Sequence, residues 1–260
     1  MLSWRAKRQI IVLLIVALPF AALGFWIFSK VVPDPSCFDN RKNQGEPEVD
    51  CGGPCAPCEL KNTKPVTLFW ARLVPVREDS YDAVAQIQNP NEVLSSAQVQ
   101  YEFTIFDDFA PVATRRGTTF LFAQERTYVV ESNIKTVREP TRVEFKITNV
   151  VWQFRQEQKP NLVVERRDYR VEQDQGRKQS VVEARILNRT VFDFKEMEVR
   201  VVILDKEENL LGSSRTVIEE MKAGSSRTVK FLWPEELRGN IGSVVVEPRV
   251  NIFDANAVNR

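Results

Sequence analysis

The residues of this sequence with the most distinctive chemistry are four cysteines, which all lie within one short segment, CFDNRKNQGEPEVDCGGPCAPC. They are Cys37, Cys51, Cys55 and Cys58, and Gly, Pro and Asn surround them rather than the apolar residues of a core. An even number of cysteines in such a segment predicts two disulfide bonds and an oxidising compartment. Four cysteines permit three pairings, which the sequence does not distinguish.

The same cysteines permit two other kinds of site. Cys55 and Cys58 have the spacing of a zinc knuckle, so a four-thiolate metal site is an alternative, although Cys37 and Cys51 do not form a second CxxC pair. A redox-active CxxC pair is a further alternative, but no thioredoxin-like βαβ pattern surrounds it. We expect structural disulfides, with no bound metal and no cofactor.

Oxygen-bearing side chains in this segment also suggest calcium, which prefers several oxygen ligands around a Gly-containing loop. The candidates are Asp39, Asn43, Glu46, Glu48 and Asp50. The EF-hand template does not fit, because counting from Asp39 places Arg41 at the third position and Gln44 at the sixth. We therefore expect solvated loop charges here.

The composition excludes several classes of function. The sequence contains no histidine, which removes Ser-His-Asp and Cys-His catalysis as well as HExxH zinc sites. Its 36 Lys and Arg residues nearly balance 35 Asp and Glu residues, so it lacks the basic field that nucleic-acid binding requires. It has no Walker loop, GxSxG elbow or dinucleotide fingerprint. We expect no catalytic residues, no enzymatic activity and no nucleic-acid partner.

An uncharged apolar run from Ile10 to Phe28 predicts a membrane-spanning helix. Arg5, Lys7 and Arg8 precede the run, whereas only Lys30 follows it closely, so the positive-inside rule places the N-terminus in the cytoplasm. A cleaved signal peptide is the main alternative, but its apolar region is shorter and ends in small residues, whereas this one ends in bulky residues. A buried soluble helix is a third interpretation.

Beyond Lys64 the pattern changes to alternating apolar and polar residues, which is typical of half-buried strands. We predict twelve strands in two sets of six, at residues 66–74, 81–88, 97–106, 118–122, 126–131 and 142–152, and at 161–171, 180–187, 196–204, 210–217, 227–232 and 243–252.

The two sets match residue by residue. Ala83, Ala85, Ile87 and Asn89 correspond to Val182, Ala184, Ile186 and Asn188, and Tyr101, Phe103, Ile105 and Asp107 correspond to Val199, Val201, Ile203 and Asp205. The separation is 99 positions for the first group and 98 for the second. A repeat of this length made of short strands predicts a duplicated immunoglobulin-like β-sandwich.

Polar residues at equivalent strand ends are expected to form turns rather than a site. These are Asp107, Asp205, Asn89 and Asn188, whose side chains can bond backbone N–H groups. Asn188-Arg-Thr is formally a glycosylation sequon, but it coincides with a repeat position, and we attribute it to chance. Trp70, Trp152 and Trp233 are expected to pack in the core, with a ligand platform as the alternative. The basic pairs at 115–116 and 166–167 are expected to be solvated.

Two resemblances accompany these patterns. The run Val49-Asp-Cys-Gly-Gly followed by Cys55 and Cys58 resembles the DCGG-x-C-x-x-C segments of bacterial surface and secreted proteins, which implies export and a bacterial origin. Phe103-Thr-Ile-Phe-Asp is similar to the motif of the FxLYD family, and Val201-Val-Ile-Leu-Asp is a weaker copy without the leading aromatic residue. That resemblance implies extracytoplasmic immunoglobulin-like modules.

The sequence thus predicts a mainly β protein with one N-terminal transmembrane helix, a cysteine-rich segment and two tandem immunoglobulin-like β-sandwich domains. The expected organisation is a cytoplasmic N-terminus (1–8), the helix (9–30), an extracytoplasmic cysteine-rich linker (31–64), the first sandwich (65–152), the second sandwich (160–254) and a tail (255–260).

Our leading hypothesis for function is a single-pass, non-enzymatic protein of the cell membrane that binds or scaffolds an envelope protein or a glycan. The alternatives are an accessory subunit of a multi-protein membrane complex and a thiolate metal-binding protein.

Overall fold

The computed structural model describes residues 4–31, 36–155, 157–174, 176–254 and 257–259. The chain divides into two units, Met1–Lys61 and Asn62–Arg260. We call the first the helix–disulfide unit and the second the β unit, and each is described separately.

The helix–disulfide unit begins with one long helix, α1 (Trp4–Val31), which contains Pro19. Its segment Arg8–Ile27 is 20 residues long and apolar enough to cross a bilayer by length and composition, although a signal sequence has the same properties. The described side chains of α1 are exposed, for example Phe25 and Trp26. The predicted apolar helix is therefore confirmed. The cysteine segment that follows contains a single turn of 3-10 helix at Cys58–Leu60.

The first half of the β unit is a sandwich of two antiparallel sheets. One sheet has the strand order β1-β2-β5 and the other β4-β3-β6, with the short β7 also paired to β3. The strands are β1 (Thr67–Arg77), β2 (Ser80–Gln88), β3 (Leu94–Phe106), β4 (Pro111–Leu121), β5 (Arg126–Lys135), β6 (Arg142–Val150) and β7 (Gln153–Phe154).

The second half repeats this topology. One sheet has the order β12-β9-β8 and the other β11-β10-β13, with the short β14 paired to β10. The strands are β8 (Leu162–Asp174), β9 (Arg177–Asn188), β10 (Asp193–Asp205), β11 (Leu210–Met221), β12 (Ser226–Trp233), β13 (Ile241–Arg249) and β14 (Val258–Asn259). Val258–Asn259 lie in the segment predicted as a tail and pair with the start of β10. The mainly β fold with antiparallel sandwiches is thus confirmed.

The duplication extends to an irregularity in the pairing of the first two strands of each half. The β1–β2 register shifts between Leu68 and Trp70, and the β8–β9 register shifts between Val164 and Arg166. A β-bulge adds an unpaired residue and a local bend to a strand. Because the bulge recurs at the equivalent place, the two halves share backbone detail as well as strand order.

Each sandwich has its own apolar core between its two sheets. The first contains Ala83, Ala85, Ile87, Val99, Tyr101, Phe103, Ile105 and Leu121, and the second contains Val182, Ala184, Ile186, Val199, Val201, Ile203, Phe231 and Trp233. These cores include all the apolar positions that the repeat aligned, so the alternation predicted the core faces of these strands correctly.

A third apolar cluster joins the two sandwiches. Val84, Tyr128 and Val130 come from the sheet β1-β2-β5, and Val202 and Leu204 come from β10. Strand β2 and the second half of β10 are therefore buried on both faces, and the β unit is a stack of four sheets. Contacts near both ends of the facing strands also join the two sandwiches. Asp82 contacts Ser213 at one end, and Glu125 contacts Arg249 at the other, so the two sheets face each other along the length of their strands.

Candidate functional site

The four predicted cysteines form two disulfide bonds, Cys37–Cys55 and Cys51–Cys58. This selects one of the three pairings that the sequence left open. The loops closed by these bonds span 18 and 7 positions. No cysteine in the described part of the chain is free.

Two carboxylates, one buried and one half-buried, hold the backbone of this segment. Glu46 is 4% exposed and accepts hydrogen bonds from the backbone N–H groups of Asn43 and Asp50, both at 3.2 Å. Asp50 in turn accepts bonds from the N–H groups of Asp39 and Asn40 at 3.1 Å. A segment without an apolar core is thus held by covalent links and charge-assisted hydrogen bonds.

A steric constraint explains a glycine of the DCGG motif. Gly52 has a φ of +76°, and a Cβ at this position would lie 2.4 Å from Cδ of Pro47. Gly53 also has a positive φ, +57°. A side chain at position 52 would therefore clash with Pro47, so the turn between Cys51 and Cys55 requires glycine there.

The metal-binding alternatives find little support in this geometry. The sulfur atoms fall into two groups, Cys37 and Cys55 with Glu46, and Cys51 and Cys58 with Glu48. Each group is closed by a disulfide, so it has no thiolate to offer a metal. Of the candidate calcium ligands, Glu46 and Asp50 accept backbone N–H bonds, so Glu46 is buried rather than solvated as we expected. The side-chain amide of Asn43 holds the pKa of Asp39 below its ordinary value.

The most buried charged pair of the β unit joins the two sandwiches. Arg249 on β13 is fully buried, and its Nη2 lies 2.9 Å from Oε2 of Glu125, which precedes β5. Nη2 also donates to the carbonyl of Phe120 at 2.8 Å, and the guanidinium lies over the Phe120 ring. Burial acts to raise the pKa of Glu125, but Arg249 and Lys159 outweigh it and leave this pKa below its ordinary value.

Further polar contacts cross the same contact region. Arg200 on β10 donates to the carbonyl of Tyr128 and to Glu198, the latter at 2.7 Å. Glu247 accepts bonds from the Thr127 hydroxyl at 2.9 Å and the Tyr128 N–H at 3.3 Å. The bonds to Tyr128 and Thr127 link the second sandwich to the first, and the bond to Glu198 holds the Arg200 side chain that makes one of these links. Breaking such a buried pair leaves an uncompensated charge, so these contacts disfavour other arrangements of the two sandwiches.

Asp82 forms a buried contact between the sandwiches at the opposite end of the facing strands from Arg249. Its carboxylate accepts bonds from the Asn133 N–H at 2.9 Å and from the Ser213 hydroxyl of the second sandwich at 3.1 Å. Burial raises the pKa of Asp82 to about 6, although these bonds and Arg215 act in the opposite direction.

The outer faces of the stack are polar at the positions equivalent to the buried contact, except at Phe106. In the second sandwich, the pairing registers align Trp70, Val84, Tyr128 and Val130 with Arg166, Glu183, Thr228 and Lys230. In the first, they align Arg200, Val202, Leu204 and Val245 with Glu102, Thr104, Phe106 and Glu144.

These outer charges form ion pairs along each face. Arg170 contacts Glu172 at 2.7 Å and Glu183 at 3.0 Å, and Arg116 contacts Glu102 at 2.5 Å. A repeat with polar outer faces is capped against further stacking. We therefore interpret the β unit as a closed pair of sandwiches.

The predicted turn residues have the expected roles. Asp107 accepts bonds from the N–H groups of Phe109 and Ala110, and Asp205 accepts them from Glu207 and Asn209. The Asn89 side chain, fully buried, donates to the carbonyls of Leu94 and Phe122. Asn188 has the same role and is equally buried, so this sequon lacks an accessible acceptor in the folded chain.

The tryptophans differ in environment. Trp233 lies in the second core, whereas Trp70 is only partly buried and packs beside Tyr128 where the sandwiches meet. Trp152 is partly buried near the start of β1. The basic pairs are solvated as predicted, since the Arg116 and Arg166 side chains are both largely exposed.

Sequence reasoning missed the residues that lock the sandwiches together. A comparison between the two copies could have found them, because Asp82, Glu125 and Arg249 align with Val181, Ser225 and Asn149. Where a charged residue of one copy aligns with an uncharged residue of the other, the charged residue has a role that only one copy needs.

Comparisons with known proteins give no family for this chain. No family model matches it, and no curated protein matches it. Among solved structures, it is similar to a β-glucuronidase of Parabacteroides merdae, with 8% identity, a TM-score of 0.20, and coverage of 64% of this chain and 28% of that one.

It is also similar to the tandem CBM22 domains of Paenibacillus barcinonensis Xyn10C, with 5% identity, a TM-score of 0.16, and coverage of 71% and 85%. The chain spans less than a third of the glucuronidase. The FxLYD resemblance stays a prediction.

Proposed function

We propose that this chain is a single-pass membrane protein whose β unit lies outside the cytoplasm and binds or scaffolds another component of the cell envelope, without enzymatic activity. The observation that carries the proposal is the pair of disulfide bonds only a few residues beyond an apolar helix. Disulfides persist in oxidising compartments, and basic residues before the helix favour a cytoplasmic N-terminus.

The closed stack supports a role as a rigid scaffold. The buried Glu125–Arg249 pair and the apolar cluster between the sheets fix one sandwich against the other. Because the outer faces carry paired charges, we propose that a partner binds the loops at the ends of the sheets.

The β3–β4 turn is the best candidate for such a contact. Asp107 and its ion pair with Arg138, at 2.8 Å, hold this turn, while Phe109 is 91% exposed and Val137, in the β5–β6 loop, is 88% exposed. The equivalent turn of the second sandwich, residues 205–209, is polar and contacts Arg72 of the first sandwich through the Glu208 carbonyl. Exposed apolar side chains on a rigid turn are typical anchors for a protein partner.

A photoreactive phenylalanine analogue at position 109, introduced into the full chain in its native membrane, tests this proposal. We expect adducts with one or a few envelope proteins, identified by mass spectrometry. The matched control is the same analogue at Arg116, whose side chain is 80% exposed on the outer face. Equal and diffuse adducts at both positions would contradict binding through the turn.

A second candidate is an accessory subunit that assembles through its helix. Small residues in α1 favour this, because Ala21 and Gly24 lie about one turn apart on the same face, Ala22 is next to Ala21, and small residues allow close helix packing in membranes. Gly24→Leu would then abolish co-purification with a membrane partner, whereas Leu23→Ala, which lies two residues from Ala21 and on the other side of the helix, would preserve it. A chain that is monomeric after mild solubilisation contradicts this candidate.

A further inference from the structure

Among the described side chains of the helix–disulfide unit, the most exposed large apolar one belongs to Phe38, at 90%. It immediately follows Cys37 and lies seven positions after Val31, the last residue of α1. Seven residues span at most about 25 Å when fully extended. The side chain is therefore tethered close to the end of the helix that we propose to cross the membrane.

The disulfide segment prevents Phe38 from turning inward. Its neighbour Cys37 is bonded to Cys55, and the N–H groups of Asp39 and Asn40 are bonded to the Asp50 carboxylate at 3.1 Å. The Phe38 N–H itself donates to the Ser36 hydroxyl at 3.4 Å. The backbone on both sides is thus fixed with the ring directed to the exterior.

A second apolar side chain accompanies Phe38. Val49, which is 39% exposed, directly precedes Asp50, whose carboxylate bonds the residues that follow Phe38. The two side chains thus belong to neighbouring stretches of backbone. Arg41 and Lys42 are exposed just beyond and have the charge that lipid phosphates attract.

We infer that Phe38, together with Val49, inserts into the outer lipid–water interface of the membrane that α1 spans. The interfacial zone on each side of the hydrocarbon core is about 5–8 Å thick and accommodates aromatic side chains at headgroup level. The disulfide segment then rests on the bilayer as a collar around the emerging chain. This inference depends on the proposed membrane anchor.

A photoreactive phenylalanine analogue at position 38 of the full chain in lipid nanodiscs tests the inference. Irradiation is expected to produce lipid adducts, detected as mass increments on peptides containing residue 38. The matched control is the analogue at Phe109, an equally exposed phenylalanine at the end of the first sandwich opposite the start of β1. Position 38 is expected to give at least ten times the lipid adduct of position 109, and position 49 an intermediate yield.

Failure of this inference can be separated from failure of the anchor. Loss of the chain from the membrane on carbonate extraction contradicts the anchor itself. If the chain resists extraction and keeps both disulfides, but position 38 gives only protein adducts or no adduct, insertion of Phe38 is wrong while the anchor stands. An equal lipid yield at positions 38 and 109 also overturns the inference.

Discussion

The buried ion pair between Glu125 and Arg249 gives the sharpest test of how the sandwiches are held together. In Glu125→Gln the side chain keeps its shape, and the Phe122 N–H, now 3.0 Å from Oε2, can still donate to it. Arg249, however, loses the carboxylate 2.9 Å from its Nη2, and its side chain is 0% exposed, so water cannot compensate for the loss. Removing one partner of a buried pair costs about 3–5 kcal/mol.

The expected effect is measurable as a change in melting temperature. For a unit of this size each kcal/mol shifts Tm by about 2–4 °C, so Glu125→Gln should lower Tm by roughly 6–20 °C. The assay is a thermal melt of the full chain in nanodiscs, followed by tryptophan fluorescence. The control is Glu144→Gln, which removes an exposed pair with Arg142 and should change stability by less than about 0.5 kcal/mol.

A double variant distinguishes the loss of an ion pair from a general loss of packing. Glu125→Met with Arg249→Met replaces both charges by apolar side chains, which is often neutral or stabilising. It should therefore recover most of the stability lost in Glu125→Gln. Equal Tm values for Glu125→Gln and Glu144→Gln would refute the assignment of this pair as the lock between the sandwiches.

Three further predictions concern the outer face, the buried carboxyl group and the disulfides. Glu183→Val with Lys230→Val makes the outer face of the second sandwich more apolar, so the chain should form larger oligomers than the unaltered chain in analytical ultracentrifugation. An unchanged sedimentation coefficient would contradict the interpretation that the outer charges prevent further stacking. Because burial raises the pKa of Asp82 to about 6, its contribution to stability is fully present below pH ~4 and is lost as the pH rises through 6. Asp82→Asn should therefore flatten the change in unfolding free energy between pH 4 and 7, which urea titrations at several pH values will measure; an unaltered slope contradicts this. Cys37→Ser with Cys55→Ser removes a link worth about 3 kcal/mol to its own segment and should increase proteolysis there without changing the melting of the β unit.

Much of the fold follows from local rules. The alternation of apolar residues in Ala83, Ala85 and Ile87, repeated 99 positions later, placed the strands and their core faces correctly. The start of β4 differs, since it begins at Pro111 rather than at 118. The Asp107-capped turn lets β4 pair with β3 at once, although Arg115 and Arg116 interrupt the apolar pattern that marks a strand.

The contact between the sandwiches could not be predicted in the same way. Alternation distinguishes a buried face from an exposed face, but β2 and the second half of β10 are buried on both faces. From the sequence alone, Val84 and Val202 therefore resemble ordinary strand residues, and Arg249 resembles a solvent-exposed charged residue. Likewise, the disulfide pairing depends on the loop geometry around Gly52 and Glu46, which cysteine spacing does not encode.

The central claim is that the chain is anchored, disulfide-bonded and directed outward, and thiol labelling in intact cells tests it most directly. A membrane-impermeant maleimide is applied before and after reduction, and the intact mass of the chain is measured. We predict that the four cysteines react only after reduction, without cell lysis, and that the chain retains its N-terminal helix. Labelling that requires lysis but no reduction would contradict the account, because the cysteines would then be free thiols in the cytoplasm.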